Sequence, residues 1–277
     1  MILLIGGTSE TAPLASGLAE AGYAVLVSMA TAAPLAIGAH PRISRRAGRL
    51  DEEGVVALGK EKGIRAIVDA AHPYAEAAHA AAHNAAKRLG IPCLVFRRPE
   101  ALTPESPVRF AADHAEAAEM AFASGRPVLL TTGSRNLAPY AEAARRTGVP
   151  FAVRVLDIPE SLAACRAAGI PEDRIIAGRG PFSVTENLAA IHRFGIGVIV
   201  TKESGRAGGI EAKLAAANQA NCRLIVLRRP AMPASSPAFD RPAALITALA
   251  DLVPPAVIAK NPAPFSETRD RGFKAIR

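Results

Sequence analysis

The sequence predicts an α/β protein made of two doubly wound domains, with mostly parallel sheets and a cleft between the domains. Three observations lead to this prediction. Short apolar runs rich in Val, Ile and Leu alternate with longer runs rich in Ala, Glu, Lys and Arg, which is the pattern of βαβ units. The Pro-rich segment 98–107 interrupts the alternation. The same alternation then starts again and continues to about residue 227.

The first series begins at the start of the chain. Its strands are short and apolar throughout, as expected when both faces of a parallel sheet are covered. The predicted strands are Ile2–Ile5, Tyr23–Ser28, Ala66–Asp69 and Cys93–Phe96. The predicted helices are Glu10–Ala21, Asp51–Lys62 and Tyr74–Leu89.

The second series repeats the order of strand, small-residue turn and helix. Its predicted strands are Val128–Thr131, Phe151–Val155, Arg174–Ala177, Gly197–Thr201 and Arg223–Leu227. Its predicted helices are Leu137–Thr147, Glu160–Ala168, Ser183–Phe194 and Ile210–Ala220. A weaker helix over Arg241–Leu252 is compatible with packing on either domain. We therefore assign residues 1–100 and 101–252 to two domains, and expect the Pro-rich, aperiodic tail 253–277 to be disordered.

The two series end alike. Phe96 is followed by Arg97-Arg98-Pro99, and Leu227 is followed by Arg228-Arg229-Pro230. In each case a predicted strand continues into Arg-Arg-Pro, which indicates that the two halves are related.

Composition narrows the possible functions. The 277 residues carry a net charge of +8, which fits an anionic small-molecule ligand but equally a solvated basic surface. Aromatic residues make up 4% of the chain and no long basic run is present, so nucleic acid is not an expected partner. Three widely spaced cysteines favour a reducing compartment. The chain begins with a predicted strand and has no apolar stretch of membrane-spanning length, so we expect a cytoplasmic protein without a signal peptide or membrane partner.

The first candidate site is the turn after the first strand, where Gly6, Gly7, Thr8 and Ser9 open a helix. Glycines allow a tight turn, and the free N–H groups of a helix start bind phosphate. The alternative is a glycine-rich turn without a ligand. No acid follows the second strand, where Ser28 stands near Arg42, Arg45 and Arg46 and would accommodate the 2′-phosphate of NADPH.

The second candidate is His72, which follows the strand that ends at Asp69. Ligands of open α/β sheets bind at the carboxyl ends of strands, and a histidine there can bind a carboxylate or donate a proton. The alternative is a turn residue between Asp69 and a helix that starts near Pro73. His79 and His83 share a helix face but lack a third ligand, so no metal site is expected.

Strand ends of the second series carry the remaining candidates. A turn of the same kind, between a predicted strand and a predicted helix, contains Thr132, Gly133, Ser134 and Arg135. Further turns supply small or basic residues suited to an anion, namely Arg179, Ser183, Lys202, Ser204, Gly205 and Lys213.

Taken together, these segments resemble the precorrin-6A reductase family. The resemblance rests on GGTSE at 6–10, DAAHPYA at 69–75, LTTGSRNL at 130–137, GRGPFS at 178–183 and TKESGRAGGIEAKL at 201–214. It covers about residues 1–230, and the order of the motifs makes it specific. Ala71, where Thr is expected, and Glu203, often Asp, are small departures.

The resemblance implies two Rossmann-like domains and an oxidoreductase of corrin metabolism. The implied reaction is the NADPH-dependent reduction of precorrin-6A to precorrin-6B in cobalamin biosynthesis, and the cobalt-containing ring is the alternative substrate. An exchanged strand between the domains is compatible with it. The anionic tetrapyrrole is the implied partner, and other enzymes of the pathway stay open as partners.

We divide the candidate residues by role on this basis. His72 and Lys202 are the candidate catalytic residues. Cofactor binding is assigned to Gly6, Gly7, Thr8, Ser9, Ser28, Thr132, Gly133, Ser134 and Arg135. Substrate binding is assigned to Tyr74, Arg179, Ser183, Ser204, Gly205 and Lys213. A non-catalytic NADPH-binding regulatory module is a more distant alternative, and a short-chain dehydrogenase is disfavoured because no Tyr is followed by Lys four residues later.

Overall fold

The computed structural model describes residues 1–31, 40–103, 105–205, 208–230 and 236–255. The first part of the chain alternates strands with helices, in the order β1 (Ile2–Ile5), α1 (Thr11–Glu20), β2 (Val25–Met29), β3 (Ile43–Ala47), α2 (Glu52–Lys62), β4 (Ala66–Asp69), α3 (Glu76–Leu89) and β5 (Cys93–Phe96). Helix α2 shows how local sequence sets these bounds. The Asp51 carboxylate accepts the N–H of Gly54 at its start, and Gly63 ends it in the left-handed conformation.

The second part continues the alternation. Its elements are β6 (Arg109–Ala111), α4 (His114–Phe122), β7 (Val128–Leu130), α5 (Ala138–Thr147), β8 (Phe151–Val155), α6 (Pro159–Ala167), a 3-10 turn (Glu172–Arg174), β9 (Ile175–Ala177), α7 (Val184–Phe194), β10 (Val198–Lys202), α8 (Ile210–Gln219) and β11 (Arg223–Leu227). The described chain closes with β12 (Ala238–Phe239) and α9 (Pro242–Leu252).

The strands form two six-stranded sheets with the same internal order. The first sheet runs β3-β2-β1-β4-β5-β12 and the second runs β9-β8-β7-β10-β11-β6. Every strand pairing in the described residues is parallel. Each half therefore has the doubly wound order 3-2-1-4-5-6, which confirms the predicted fold class.

The sixth strand of each sheet comes from the other half of the chain. β6 follows the five strands of the first sheet but pairs with β11 in the second sheet. β12 follows the strands of the second sheet but pairs with β5 in the first. The two Arg-Arg-Pro segments are the crossovers that carry the chain between the sheets.

The C-terminal helix belongs with the first sheet, which differs from the expected 101–252 span of the second domain. Leu245 and Leu249 of α9 are fully buried in the core on the α1 side of that sheet. Val253 is buried there as well, and its carbonyl accepts the Tyr23 hydroxyl at 2.8 Å. An apolar helix pattern does not reveal which sheet it covers. Of the tail expected to be disordered, residues 256–277 lie outside the described residues.

Both faces of each sheet are packed. In the first sheet, Leu4 and Val68 point toward α1 and α9, while Leu3 and Ile67 point toward α2 and α3. The second sheet repeats this alternation with cores on both of its faces. Continuous apolar strands were therefore the correct signal for a doubly covered parallel sheet.

Four elements were missed in the sequence. β3 has the sequence ISRRA and is a mostly exposed edge strand, so it lacks an apolar run. β6 and β12 contain three and two residues, too few for a periodic pattern. Helix α4 directly follows β6 and carries Asp113 as its side-chain cap. These elements form because a neighbouring sheet edge or core is available to them.

Candidate functional site

The loops at the carboxyl ends of both sheets contact one another. Tyr74, after β4, donates its hydroxyl to the carbonyl of Leu227 at 2.6 Å and accepts the N–H of Glu203 at 2.9 Å. Arg98, after β5, donates to the carbonyl of Ser204 at 2.8 Å. Ligands bind at these strand ends in doubly wound folds. The strand ends of the two sheets therefore face each other across one region, which we call the shared region.

A cavity of about 440 Å³ lies at the crossovers. It is lined by residues of both crossover segments and of β12, namely Arg97, Arg98, Pro99, Glu100, Arg229, Ala238, Phe239 and Asp240. Three arginines and two acidic residues, Glu100 and Asp240, line this junction.

One arginine of each crossover is held by a carboxylate. Arg229 pairs with Glu203 at 2.5 Å, and both side chains are almost fully buried. Arg98 pairs with Glu10 at 2.5 Å in a less buried position. Glu203 also accepts the N–H groups of Ala101 and Gly205, so it connects the second sheet to both crossovers. These pairs fix the walls of the site rather than offer free charge to a ligand.

The first turn, residues 6–10, is closed by its own helix. The hydroxyl of Thr11 accepts the N–H of Gly7 at 2.9 Å and the N–H of Thr8 at 3.1 Å. The Thr8 hydroxyl donates to the carbonyl of Ala70. Gly6 is required by this arrangement, because a Cβ there would lie 2.4 Å from the Thr11 methyl carbon. Two N–H groups predicted to bind phosphate thus already have an acceptor.

Ser28 lies one residue before the end of the buried strand β2 and has a basic neighbour, as the sequence suggested. Arg46 of β3 donates to its hydroxyl at 2.7 Å and to the carbonyl of Gly48 at 2.9 Å. Arg46 is thereby tied to the edge of the first sheet. Ser9 is exposed and donates to Glu10.

The loop after β4 is built on a buried ion pair. Asp69 accepts from Nδ1 of His79 at 2.6 Å, and Nε2 of His79 lies 3.1 Å from the carbonyl of His72. Burial alone would lower the pKa of His79, but the hydrogen bond and charge of Asp69 outweigh it and raise that pKa. Both ring nitrogens of His79 face oxygen atoms, so the protonated form of the ring can donate to both partners and hold the His72 backbone in place.

His72 reaches the shared region as a neutral donor. Its Nδ1 accepts the N–H of Tyr74, which leaves the ring proton on Nε2. Part of the ring reaches solvent, but the surrounding protein still desolvates it. This desolvation lowers the pKa of His72 to about 4, and the charges of Arg98 and Lys202 contribute to the shift. The ring is therefore uncharged near neutral pH and can donate one hydrogen bond.

Lys202 ends β10 with its ammonium group uncommitted. The Nζ atom lies 5.0 Å from the centroid of the Tyr74 ring, a cation–π contact. Within the described chain it forms no ion pair and no hydrogen bond. Burial and then the nearby charge of Arg135 lower the pKa of Lys202. Tyr74 lies between His72 and Lys202, and its ring packs against the core of the second sheet.

The second turn, residues 131–136, is open where the first is closed. Gly133 has a φ of +84°. The Thr132 hydroxyl is buried and has no hydrogen-bond partner. No described group accepts the N–H groups of Gly133, Ser134 and Arg135. A buried orphan hydroxyl beside free N–H groups is the arrangement expected of an anion site.

His114, which the sequence analysis missed, lies beside this turn. Its Nε2 accepts from the side chain of Asn136 at 3.1 Å, and its Nδ1 lies 2.9 Å from the hydroxyl of the buried Tyr140. Burial and the charge of Lys202 lower the pKa of His114 to about 4. A lone histidine at the start of α4 gave no signal, because α4 itself was missed.

The remaining predicted residues fall into two groups. Ser204 and Gly205 pack against Arg98 and so belong to the shared region. Arg179, Ser183 and Lys213 lie instead around the starts of α7 and α8. Ser183 caps α7 in a capping box with Glu186, and Arg179 is exposed. The structure thus separates residues that the sequence analysis had grouped as substrate contacts.

Two further features bear on the kind of protein this is. The described residues contain no cluster of His, Cys, Asp or Glu suited to a metal ion. In the same part of the chain, no helix combines the length and apolar character needed to cross a membrane.

Two parallel sheets of order 3-2-1-4-5-6, meeting at strand-end turns, define a nucleotide-binding α/β protein of the doubly wound class. The model of the family described as "Precorrin-6x reductase CbiJ/CobK" matches residues 1–250, and the chain belongs to this family. The family expected from the sequence motifs is therefore confirmed.

Individual relatives agree with the family match. The chain is 33% identical over 231 residues to cobalt-precorrin-6A reductase of Priestia megaterium, which covers 83% of this chain and 91% of the relative. It is 33% identical over 245 residues to precorrin-6A reductase of Rhodococcus erythropolis, covering 86% and 93%. Among solved structures, "CobK precorrin-6A reductase" matches with a TM-score of 0.75 at 28% identity, covering 91% of this chain and 97% of that one.

Proposed function

We propose that this chain catalyses the NADPH-dependent reduction of precorrin-6A to precorrin-6B in cobalamin biosynthesis. The observation that carries the proposal is the family match over residues 1–250. The names of its relatives include reductases of the metal-free and of the cobalt-containing ring. The cobalt-containing ring is therefore the second candidate substrate.

The second turn fits the phosphate groups of NADPH. It offers the N–H groups of Gly133, Ser134 and Arg135 and the orphan hydroxyl of Thr132, and the side chain of Arg135 adds a positive charge. The first turn is less suited, because Thr11 already takes two of its N–H groups. When bound, NADPH supplies the hydride that reduces one double bond of the ring.

His72 and Lys202 fit the acidic side chains of a tetrapyrrole. The protonated Nε2 of His72 donates to a carboxylate, and the Lys202 ammonium provides the charge that a carboxylate requires. Both groups have lowered pKa values from burial and neighbouring cations, and an anion placed between them would reverse that effect. The pair would thereby favour an anionic ligand over a neutral one of the same shape.

The contacts between the sheets orient these two groups. The Tyr74 hydroxyl is hydrogen-bonded to the carbonyl of Leu227 and the N–H of Glu203. Tyr74 therefore acts as a positioning residue between His72 and Lys202. The buried Arg229–Glu203 pair forms the base of the junction. A rigid, partly desolvated wall strengthens the electrostatic contacts made in front of it.

The same proposal places the protein in the cytoplasm. The three cysteines are free thiols, which suits a reducing compartment. Other enzymes of the pathway are its proposed partners for the receipt and release of the ring.

The decisive assay follows NADPH and the ring together. We would incubate purified protein anaerobically with NADPH and metal-free precorrin-6A, and record NADPH loss with the visible spectrum of the ring. Coupled loss of NADPH and shortening of the chromophore is the expected result, with slower turnover on NADH. Turnover only on the cobalt-containing ring would select the second candidate. Absence of turnover on both rings would refute the proposed activity.

Variants of the two candidate catalytic residues test the assignment. His72→Ala and Lys202→Ala are each expected to weaken ring binding by roughly tenfold, the effect of losing one charge-assisted hydrogen bond. Lys87→Ala, an exposed lysine on α3, is the control. Unchanged turnover and ring affinity in both variants would show that the ring binds elsewhere.

A further inference from the structure

A second group of cations, on β8 of the second sheet and on helix α8, lies apart from His72 and Lys202. Arg154 is the only charged residue of β8, whose sequence is FAVRV, and it is 5% exposed. Its Nη1 donates to the side-chain oxygen of Asn187 at 2.6 Å, and its guanidinium lies 4.2 Å from the centroid of the Phe182 ring. Its Nε is buried without a hydrogen-bond partner.

Lys213 of α8 joins Arg154 in this region. The side chain is 7% exposed, and Nζ donates to the carbonyls of Gly208 at 3.1 Å and Gly209 at 3.3 Å. Burial and then the charge of Arg154 lower the pKa of Lys213 to about 8. Two buried groups of the same sign therefore lie close enough to repel each other.

No carboxylate of the described chain pairs with either cation. The carboxylate whose charge acts on Arg154 is Glu186, but Glu186 is engaged with the N–H and hydroxyl of Ser183 in the capping box of α7. Buried charges without partners are strongly unfavourable, so such a pair is expected to persist only where an anion compensates it.

The surrounding backbone also favours an anion. Arg154 and Lys213 lie beneath the starts of α7 and α8, whose dipoles direct positive potential toward the same place. The loops before these helices touch, since a Cβ on Gly209 would lie 3.2 Å from Cβ of Pro181. The Nε edge of Arg154, which is buried and has no hydrogen-bond partner at Nε, has the fork geometry that binds carboxylate and phosphate oxygens in pairs.

We propose that Arg154 and Lys213 form a buried oxyanion site, with Arg154 as its anchor. The site takes one carboxylate or phosphate group. The proposed function supplies two possible sources of this group, a carboxylate of the tetrapyrrole or the 2′-phosphate of NADPH. Only the choice between these sources rests on the proposed function. The site is separate from the second turn, which lies between the end of β7 and the start of α5.

The first test needs no enzyme activity. Thermal unfolding of the full chain is measured in increasing inorganic phosphate for the wild type, Arg154→Met and Arg166→Met. Arg166 is the control, an exposed arginine of α6 that is paired with Glu172. We expect phosphate to stabilise the wild type and Arg166→Met, and the effect to disappear in Arg154→Met. An equal effect of phosphate in all three proteins would overturn the proposal.

A labelling measurement covers the case in which Arg154→Met fails to fold. Acetylation of Lys213 in the wild type is followed by mass spectrometry with and without phosphate. Bound phosphate is expected to cover Lys213 and slow its labelling at least about threefold, while the exposed Lys87 is unaffected. Labelling of Lys213 at the same rate in both conditions would contradict the site.

Affinity measurements then identify the source of the group. Dissociation constants for NADPH, NADH and precorrin-6A are compared between the wild type and Arg154→Met. A roughly tenfold loss for NADPH alone assigns the 2′-phosphate, and the same loss for precorrin-6A alone assigns a ring carboxylate. Three unchanged constants would overturn the site. Failure of the proposed reaction would leave the phosphate and labelling results intact, so the two ideas fail separately.

Discussion

The two halves contain the same turn in two versions. Gly7 through Pro13 corresponds to Gly133 through Pro139, and both turns start with a glycine of positive φ, +110° and +84°. Thr11 in the first turn is replaced by Leu137 in the second. The Thr11 hydroxyl takes the N–H groups of the first turn, whereas Leu137 packs into the core of the second sheet.

The residue before the positive-φ glycine also differs between the two turns. The first turn has Gly6, where a side chain would collide with Thr11, and the second has Thr132, whose hydroxyl has no partner. One turn therefore satisfies its own polar groups, while the other leaves its Thr132 hydroxyl without a partner among the described residues. The difference teaches that one hydroxyl can close a turn in one copy of a duplicated loop, and that its absence leaves the other copy open.

The largest expected effect is on the free energy of unfolding, when one of the two crossover ion pairs is removed. Arg229→Met leaves Glu203 buried without its charge partner, and we expect the free energy of unfolding to fall by about 3–5 kcal/mol. Arg98→Met exposes Glu10 to more solvent and is expected to cost about 1–3 kcal/mol. Urea denaturation of both variants measures the two losses. Equal losses would contradict the difference in burial between the pairs.

Thr11→Val tests the closed turn. The substitution keeps the shape of the side chain but leaves the N–H groups of Gly7 and Thr8 without an acceptor. We expect a loss of about 1–3 kcal/mol in the free energy of unfolding and no change in NADPH affinity. Denaturant unfolding and fluorescence titration with NADPH measure the two quantities. Strongly weakened NADPH binding would mean that the first turn holds the cofactor.

Thr132→Val is the matched test of the open turn, and it should show the reverse behaviour. Its hydroxyl has no partner to lose, so the free energy of unfolding is expected to stay within about 0.5 kcal/mol. NADPH affinity should fall about tenfold, since one hydrogen bond to a charged phosphate is removed. Stable protein with unaltered NADPH affinity would remove Thr132 from the cofactor site.

The histidines of the two halves predict smaller, opposite responses to pH. His79 has a raised pKa in the folded state, so its stabilisation is fully present below its ordinary pKa of 6.5 and is lost as pH rises through the folded pKa. The pKa of His114 is lowered to about 4, so its protonation destabilises the fold as pH falls from 6.5 toward 4.

Unfolding measurements from about pH 4 to about pH 9 test these signs. His79→Gln should lose most stability relative to the wild type at low pH, with a smaller loss at high pH. His114→Gln should become more stable relative to the wild type as the medium is acidified. Parallel pH profiles for both variants would show that neither histidine has the charge state described above.

The sequence analysis predicted the fold class because apolar strand runs and helical runs are local signals. It predicted most strands and helices but missed α4, which starts after the Asp113 cap, and β3, whose sequence ISRRA forms a strand because a sheet edge accepts it. It allowed an exchanged strand without being able to show one. Pairing of β12 with β5 depends on a contact between residues far apart in the chain, and no local pattern encodes it.

The candidate site was predicted less completely for a similar reason. The turns could be found from their glycines, but only the structure shows that Thr11 closes the first one. Arg154 did leave a signal in the sequence, a single charge in the apolar strand FAVRV, but it lies within the strand and not in a turn at the strand end. The assignments of His72, Lys202 and the turns to particular ligands stay predictions.

Amide hydrogen exchange with and without NADPH tests the central claim most directly, that the second turn binds the cofactor phosphates. In the free protein, the N–H groups of Gly7 and Thr8 should exchange slowly and those of Gly133, Ser134 and Arg135 quickly. NADPH should slow exchange in peptides that contain 132–137 and leave peptides that contain 6–11 unchanged. Protection of residues 6–11 without protection of 132–137 would contradict the claim.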